Sequence, residues 1–319
     1  MTGRNFAEWL SSQRERPGER EARRPSRVPG VLRGGELSVV FQPLVELGRP
    51  RIFAYEALVR SSAPEYKSPP TLFSAAIEAD CCGALGRAIR ELAVEHCPDY
   101  PLFLNIHPNE FDEGWLVQPD DPIFRHEHPI YLEITESVPL SHFHYCHSVL
   151  NEIRGKGVML AVDDLGAGYS NLKYIADLAP EVVKLDRGLI TDLFRDKRRQ
   201  RLVTSIVRLC VELGARVVAE GLENPDEVQA VVDSGAHFGQ GYVLARPSFP
   251  PPPFDSTAFR MKPVRITSRR RRARARARAP RRCCPRCCST STSRSDRSNG
   301  RRALRARASA ARRPRWTRA

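Results

Sequence analysis

Short apolar runs alternate with longer stretches of helical period from residue 37 to residue 245. The runs are almost continuously apolar, which is typical of strands that are covered on both faces. Eight strands are predicted, in the order SVVFQPLV (38–45), FAYEALV (53–59), LFLNI (102–106), IYLEIT (130–135), VMLAV (158–162), EVVKLD (181–186), RVVAEG (216–221) and GYVLA (241–245).

The segments between the strands repeat their apolar positions with a period near 3.6, which predicts helices. They span residues 71–97, 142–157, 189–215 and 224–236. Gly83 and Gly86 predict a break within the first helix, and the third segment is one long helix or two shorter ones. The fourth helix begins with a polar cap and a proline and ends at Gly235.

Strands that alternate with helices over this length predict an α/β fold, a TIM-like (β/α)8 barrel. The first two strands are separated only by GRPRI (48–52), which is too short for the crossover that parallel strands need. We therefore expect an antiparallel first strand. An open, doubly wound sheet is the alternative that the same rhythm allows.

Composition divides the 319 residues into three parts. Residues 1–33 are predicted to be a disordered leader or linker, residues 34–250 the folded domain, and residues 251–319 a disordered Pro/Arg-rich tail. Residues 269–319 contain 20 arginines, one aspartate and no lysine or glutamate. Their formal charge is therefore +19. Because the whole chain carries +14, residues 1–268 carry 14 − 19 = −5.

The arginine-rich stretch has two interpretations. It would bind phosphate backbones nonspecifically, but Trp316 is its one aromatic residue, and it has no element that reads a groove. Its Arg, Ala, Pro, Ser and Cys bias also matches a GC-rich gene read in the wrong frame from about residues 260–269. No signal peptide or membrane-spanning apolar stretch is present, so a soluble cytoplasmic protein is expected.

Polar residues recur where the predicted strands end. They are Glu56, Asn105, Glu133 with Glu136, Asp163 with Asp164, Lys184 with Asp186, Glu220 with Glu223, and Gln240. In a barrel these ends meet at one rim, where so many carboxylates need compensating cations. Oxygen ligands without histidine or cysteine favour Mg²⁺ or Mn²⁺, and two adjacent aspartates at a strand end can serve two metal positions.

Each of these residues also has an ordinary structural interpretation. Glu223 can cap the helix of residues 224–236, Lys184 or Asp186 can form a salt bridge, and Asn105 can belong to a turn. The metal hypothesis depends on the recurrence of such groups at successive strands rather than on any one of them.

Seven further motifs carry a family resemblance. They are YEALVR (55–60), LNIHP (104–108), LEITES (132–137), AVDDLGAGYSNL (161–172), VVKLDRGLI (182–190), VVAEGLEN (217–224) and GQGYVLARP (239–247). Together with FQPLVEL (41–47), they occur in the order and approximate spacing of the EAL domain, which the chain resembles over residues 36–248. That family comprises bacterial signalling enzymes, the cyclic di-GMP phosphodiesterases.

The resemblance implies a barrel with an antiparallel first strand and hydrolysis of cyclic di-GMP to linear pGpG. It implies a site for two Mg²⁺ or Mn²⁺ ions, and inhibition by Ca²⁺. The implied ligands of the first ion are Glu56, Asn105, Glu133 and Asp163. The group associated with the second ion or the attacking water is Asp164, Asp186 and Glu220.

The resemblance also implies roles for the remaining residues. Glu56, Lys184 and Glu220 are the catalytic candidates, and whether Glu220 or Lys184 moves the proton stays open. The residues that contact or support the substrate site are Gln42, Arg60, Gln240 and Glu223, and Glu136 resembles a loop anchor.

The loop DDLGAGYSN departs from the family pattern at Leu165 and Ala167, where Phe and Thr are usual. These two departures bear on the level and regulation of the activity that the resemblance implies, and not on the metal ligands. The alternative function is a non-catalytic receptor for cyclic di-GMP that signals by protein contacts. Such receptors typically lack one or more metal ligands, whereas this sequence has all of them. A homodimer is expected by family analogy alone.

Overall fold

The computed structural model describes residues 27–112, 115–135, 143–167 and 172–259. The chain divides into the units Met1–Pro263 and Val264–Ala319, and all described residues belong to the first. They form a closed barrel in which the strands are neighbours in chain order. The strands are β1 (Leu37–Glu46), β2 (Arg51–Ser61), β3 (Leu102–Asn105), β4 (Ile130–Thr135), β5 (Met159–Leu165), β6 (Val182–Leu185), β7 (Arg216–Ala219) and β8 (Phe238–Gly239).

The direction of β1 distinguishes this barrel from an all-parallel one. β1 pairs antiparallel with both β2 and β8, and all other neighbouring strands are parallel. A tight hairpin joins β1 to β2, because the few residues between them cannot hold a crossover. The predicted barrel with an antiparallel first strand is therefore confirmed.

One helix precedes β1, and the others lie in the connections between later strands. They are α1 (Val28–Arg33), α2 (Pro69–Glu78), α3 (Cys82–His96), α4 (Asn109–Asp112), α5 (Phe143–Gly155), α6 (Leu172–Leu178), α7 (Arg187–Ile190), α8 (Lys197–Glu212) and α9 (Pro225–Ser234). In α9 the Asn224 side chain accepts a hydrogen bond from Glu227 N, and Gly235 ends the helix with a positive φ, as predicted. Among the helices that the structure describes, none is long and apolar enough to cross a membrane.

Two local predictions were wrong. The break in the segment 71–97 lies between Glu78 and Cys82, where Asp80 has a φ of 52°, and not at Gly83 or Gly86, which lie inside α3. The last strand ends at Gly239, before the predicted strand GYVLA (241–245) begins.

The GYVLA segment turns because of one close approach. Leu244 N and Ala245 N both donate to Gly241 O, at 3.0 and 3.1 Å. A Cβ atom at Gly241 would lie 2.2 Å from backbone atoms of Leu222, so only glycine fits against that loop. The apolar residues of this segment therefore pack in a turn rather than in a strand.

The ordered part of the chain extends past residue 250, after which the disordered tail was predicted to begin. Residues 248–259, here called the C-terminal strap, pack against the barrel. Ser248 exchanges two backbone hydrogen bonds with Phe41, Tyr55 Oη donates to Pro252 O at 2.8 Å, and Ala258 is buried. Phe41 and Tyr55 lie on the outer face of the β1–β2 hairpin, in the same buried cluster as Ile89 and Ala93 of α3.

The predicted leader also has an ordered end. Its described part forms α1, whose Val28 and Val31 are fully buried, and Arg27 pairs with Glu36 and Glu65 at 2.9 and 3.0 Å. Residues 1–26 and 260–319, which hold the rest of the leader and the arginine-rich stretch, lie outside the described residues. Their predicted disorder, and the frame hypothesis, stay predictions.

One buried residue from each strand fills the inside of the barrel. This inner layer consists of Leu44, Ala54, Phe103, Tyr131, Ala161, Val182, Val218 and Phe238. The rings of Phe103 and Tyr131 stack with their centroids 4.4 Å apart. The Arg216 guanidinium lies 5.1 Å from the Phe238 ring centroid, near the start of β7. The inner layer therefore forms an apolar floor inside the barrel, below the rim where the parallel strands end.

The C-terminal strap should contribute to stability. A chain that ends at residue 247 exposes Phe41 and Tyr55, and we expect it to be about 2 kcal/mol less stable than a chain that ends at residue 259. Its thermal midpoint should be about 4–8 °C lower. Tyr55→Phe in the longer chain removes only the hydrogen bond to Pro252 and should cost about 1 kcal/mol. Equal midpoints for the two chain lengths would contradict the packing described for the strap.

Candidate active site

The candidate site is the next inward-facing layer of the barrel. Side chains two residues apart on a strand point to the same face. Moving two residues from each inner-layer position toward the rim therefore leads to a second set that faces the barrel axis. This polar layer consists of Gln42, Glu56, Asn105, Glu133, Asp163, Lys184, Glu220 and Gln240. On β1 the step runs backwards along the chain, because that strand is antiparallel.

Lys184 lies at the centre of the polar layer and is 1% exposed. Its Nζ atom is 2.6 Å from Glu133 Oε1 and 2.6 Å from Glu220 Oε1. It is 3.4 Å from both Glu56 Oε2 and Asp163 Oδ1. One ammonium group thus faces four buried or nearly buried carboxyl groups, contributed by β2, β4, β5 and the end of β7.

Glu56 has the most hydrogen-bond donors around it. Asn105 Nδ2 donates to Oε1 at 3.0 Å, and Gln240 Nε2 donates to Oε2 at 2.6 Å. Burial alone would raise the pKa of Glu56, but Lys184 and the two amides lower it below its usual value. Gln240 Nε2 also donates to Gln42 Oε1 at 3.2 Å, which joins β8 to β1 across the layer.

The other carboxyl groups are less well compensated. Burial, reinforced by neighbouring carboxylates, raises the pKa of Glu133 and Glu220 well above the usual value and also raises that of Asp163. Glu133 Oε2 has no hydrogen-bond partner among the described residues. The site therefore holds more carboxyl groups than Lys184 alone can compensate, and their raised pKa values reflect this.

A local irregularity turns two adjacent aspartates toward the same mouth. The register between β5 and β6 shifts between Val162 and Leu165, and Asp164 has a φ of 60°. Carboxylate oxygens of Asp163, Asp164 and Glu220 consequently lie within 4.8 Å of one another. Burial and then the charge of Asp163 raise the pKa of Asp164 to about 7.

These groups fit a hard divalent cation. The available donors are carboxylate oxygens and the Asn105 amide, with no thiolate in the set. The partnerless oxygen of Glu133 and the clustered oxygens of Asp163, Asp164 and Glu220 are sites where a cation would lower the electrostatic cost.

Three of the predicted residues lie at the edge of this arrangement. Asp186 Oδ1 accepts from Gly188 N at 2.7 Å and so caps the short helix α7. Glu223 is exposed and pairs with Arg187 at 2.8 Å. Arg60 donates to Val59 O at 2.8 Å. Glu136 lies outside the described residues.

The mouth above the polar layer has two lobes of about 270 Å³ each, which share Glu56, Leu58 and Asp163. The first lobe extends toward α2 and is also lined by Arg60, Pro69, Pro70, Phe73, Ile89, Asn105, His107, Thr135 and Asp164. The second extends toward β7 and is also lined by Gln42, Lys184, Arg187, Glu220, Glu223, Gln240 and Tyr242.

Several lining residues were not predicted. Leu58, His107 and Thr135 lie two residues beyond Glu56, Asn105 and Glu133, so the same alternation could have identified them.

His107 is the most constrained of these residues. Its ring stacks on Phe73 with centroids 5.7 Å apart, and burial lowers the pKa of His107 to about 4. Its imidazole is therefore neutral at neutral pH. Arg187, the first residue of α7, and Tyr242, in the turn after β8, also line the second lobe. Both lie within the family motifs, but neither was assigned a role from the sequence.

Comparison with known proteins identifies the same region of the chain. Residues 26–247 match the family model described as the EAL domain. The chain is 32% identical over 225 residues to the cyclic di-GMP phosphodiesterase PA2567 of Pseudomonas aeruginosa, which covers 66% of this chain and 38% of that protein. It is also 32% identical over 227 residues to an uncharacterized protein of Sinorhizobium fredii, covering 68% of this chain and 27% of that protein.

A solved structure shows the same fold. Klebsiella pneumoniae BlrP1, in its manganese and cyclic di-GMP complex, is 30% identical to this chain, with a TM-score of 0.59. The match covers 67% of this chain and 56% of BlrP1. The chain thus spans only part of each relative, and the family resemblance seen in its motifs is confirmed.

The raised pKa of Asp164 predicts a pH-dependent stability. A carboxyl group that titrates near 7 in the folded state and near 4 when unfolded stabilises the fold below pH 4 and loses that contribution as the pH rises to 7. Asp164→Asn should therefore gain stability relative to the wild type, by about 1–2 kcal/mol, between pH 4 and pH 7 without divalent ions. Thermal or urea unfolding across this range measures the difference.

The control for this prediction is Asp99→Asn, an exposed aspartate before β3 at the opposite end of the barrel, which should give a flat difference. Added Mn²⁺ at pH 8 should stabilise the wild type more than Asp164→Asn. A pH-independent difference for Asp164→Asn would contradict the assignment.

Proposed function

The chain belongs to the EAL domain family, and from this premise we propose that its barrel hydrolyses one phosphodiester of cyclic di-GMP to linear pGpG in bacterial signalling. The single observation that carries the proposal is the complete polar layer around Lys184. The name of the PA2567 relative and the ligands of BlrP1 support the same substrate.

We propose that Mg²⁺ or Mn²⁺ binds in the polar layer. The first ion would be held by Glu56, Asn105, Glu133 and Asp163, and Asp164, Asp186 and Glu220 would serve a second ion or the attacking water. When bound, these ions supply Lewis-acid chemistry, which acidifies water and neutralises phosphoryl charge. The clustered oxygens of Asp163, Asp164 and Glu220 support the second position, whereas Asp186 is already engaged in capping α7.

We propose an electrostatic role for Lys184 and a proton-transfer role for Glu220. Burial would lower the pKa of Lys184, but Asp163 and the other carboxylates raise it well above its usual value, so its amine stays protonated. The charge of Lys184 would offset the charge that develops on the phosphate oxygens. We propose Glu220, whose carboxylate lies 2.6 Å from that ammonium, as the proton acceptor.

The shape of the mouth suits an elongated anionic substrate. Its two lobes meet over Glu56 and Asp163, so a ligand that spans both would hold a phosphodiester above the polar layer. Arg60 in the first lobe can pair with a phosphate, while Gln42 and Gln240 offer amide groups in the second. We propose Glu223 as support for the second lobe, through its ion pair with Arg187.

We also propose a location and an assembly for the protein. A cytoplasmic location suits an enzyme of an intracellular second messenger, and a homodimer is proposed by family analogy. We propose that the arginine-rich stretch binds nucleic acid only nonspecifically.

Removal of one carboxylate tests the proposed activity. Glu56→Gln leaves a residue of the same size but removes a charge next to Lys184, so the full chain with Mn²⁺ should cleave cyclic di-GMP at least about 100-fold more slowly. Chromatographic separation of pGpG measures turnover. Glu212→Gln, an exposed glutamate at the end of α8, is the matched control and should retain wild-type activity.

The same assay separates the enzyme from the receptor. Tight binding of cyclic di-GMP by the wild type with no pGpG formed in Mg²⁺ or Mn²⁺ would reject hydrolysis and favour the non-catalytic receptor. Equal turnover by Glu56→Gln and the wild type would reject the proposed site.

A further inference from the structure

A second buried charge cluster lies outside the polar layer, between α3, α4 and the loop that contains Asp121. Arg90 on α3 is 1% exposed, and Glu110 and Asp121 are completely buried. Arg90 Nη1 lies 2.5 Å from Glu110 Oε2, and Nη2 lies 2.8 Å from Asp121 Oδ2. Arg90 Nε also donates to Asp121, at 3.1 Å. We call these three residues the buried triad.

Stability alone does not account for the buried triad. Burial would lower the pKa of Arg90, but Glu110 and Asp121 raise it, so the guanidinium stays charged. The triad keeps one arginine and two acidic groups out of water, and an apolar cluster of similar volume is often as stable as such a group. The hydrogen bonds of its acidic groups instead indicate a role in fixing local geometry.

The second oxygen of Glu110 fixes a tight turn. Its Oε1 accepts a hydrogen bond from His107 N at 3.0 Å. His107 O accepts from Glu110 N at 2.9 Å, and His107 Nδ1 accepts from Asn109 N at 3.2 Å. Three atoms of His107 are thus held by residues of its own turn, and Glu110 links that turn to Arg90.

This turn is the part of the chain that follows Asn105 at the mouth. Ile106 N donates to Glu133 O at 3.1 Å, so the residue between Asn105 and His107 is fixed to β4. His107 in turn lines the first lobe. Asn105 is itself paired with Glu133 of β4, so a displacement of Glu110 would move His107, a wall of the cavity, and would act on Asn105 only through Ile106.

Gly86 shows how closely Glu110 is placed. A Cβ atom at Gly86 would lie 1.9 Å from Glu110 Oε2, so α3 and the carboxylate touch without room for a methyl group. Glycine inside a helix costs about 1 kcal/mol relative to alanine. The glycine that predicted a helix break is instead a contact surface for the triad.

We propose that Arg90, Glu110 and Asp121 are positioning residues that hold the loop of residues 105–110 in the geometry needed for a divalent cation at Asn105 and for substrate at His107. The cation part rests on the proposed function. The fixing of the loop does not depend on it.

The test compares two substitutions of the full chain. Glu110→Gln brings an amide beside Arg90 and should loosen the turn, and Gly86→Ala pushes the same carboxylate without removing a charge. Hydrogen–deuterium exchange measured without metal should be faster at the amides of His107, Asn109 and Glu110 in both variants. The affinity for Mn²⁺, measured by calorimetry, should fall about 10-fold, as is usual when the support of a metal ligand is lost.

Arg87→Met is the matched control. Arg87 lies one turn before Arg90 on α3 and pairs at 2.7 Å with Asp120, whose side chain is exposed. This variant should leave both the loop exchange and the Mn²⁺ affinity unchanged.

The outcomes separate the two proposals. If Glu110→Gln does not fold, Gly86→Ala carries the test, because it retains every charge. Loop exchange equal to that of the wild type, or Mn²⁺ affinity retained despite faster exchange, would overturn the positioning role. If the wild type itself binds no Mn²⁺ but the loop exchange still rises in both variants, the fixing of the loop stands and the metal-dependent function fails.

Discussion

The structure depends on the interaction of a single buried ammonium group with four carboxyl groups. Lys184 is closest to Glu133 and Glu220, and it cannot neutralise all the charge that surrounds it. Isolated ions in a protein interior are costly unless they are paired. The barrel tolerates this arrangement because rigid strands hold the groups in place and because the mouth can admit cations and solvent.

The sequence predicts most of this site because strands and layers share a period of two. The predicted strand ends contained seven of the eight residues of the polar layer, although Glu56 lies well inside β2, which continues to Ser61. The eighth residue, Gln42, could be assigned only from the family resemblance, since β1 runs in the opposite direction. His107, which follows β3, and Thr135, the last residue of β4, were missed because they lie two residues beyond Asn105 and Glu133.

The errors of sequence interpretation arise from contacts between distant residues. Gly86 resembles a helix breaker until Glu110 is placed against it, and the GYVLA run resembles a strand until Gly241 meets Leu222. The C-terminal strap resembles disordered sequence because prolines cannot extend a ladder, yet Phe41 and Tyr55 give it an apolar surface to cover. Local periodicity contains no information about these partners.

The inner layer has a consequence for how such barrels can evolve. Each strand contributes one apolar residue to the floor and one polar residue directly above it. A substitution changes one of these positions, whereas a single-residue insertion or deletion inside a strand would shift its register and turn both away from the axis. Length variation among related barrels should therefore concentrate in the loops above the mouth, leaving the spacing between floor and ligand unaltered.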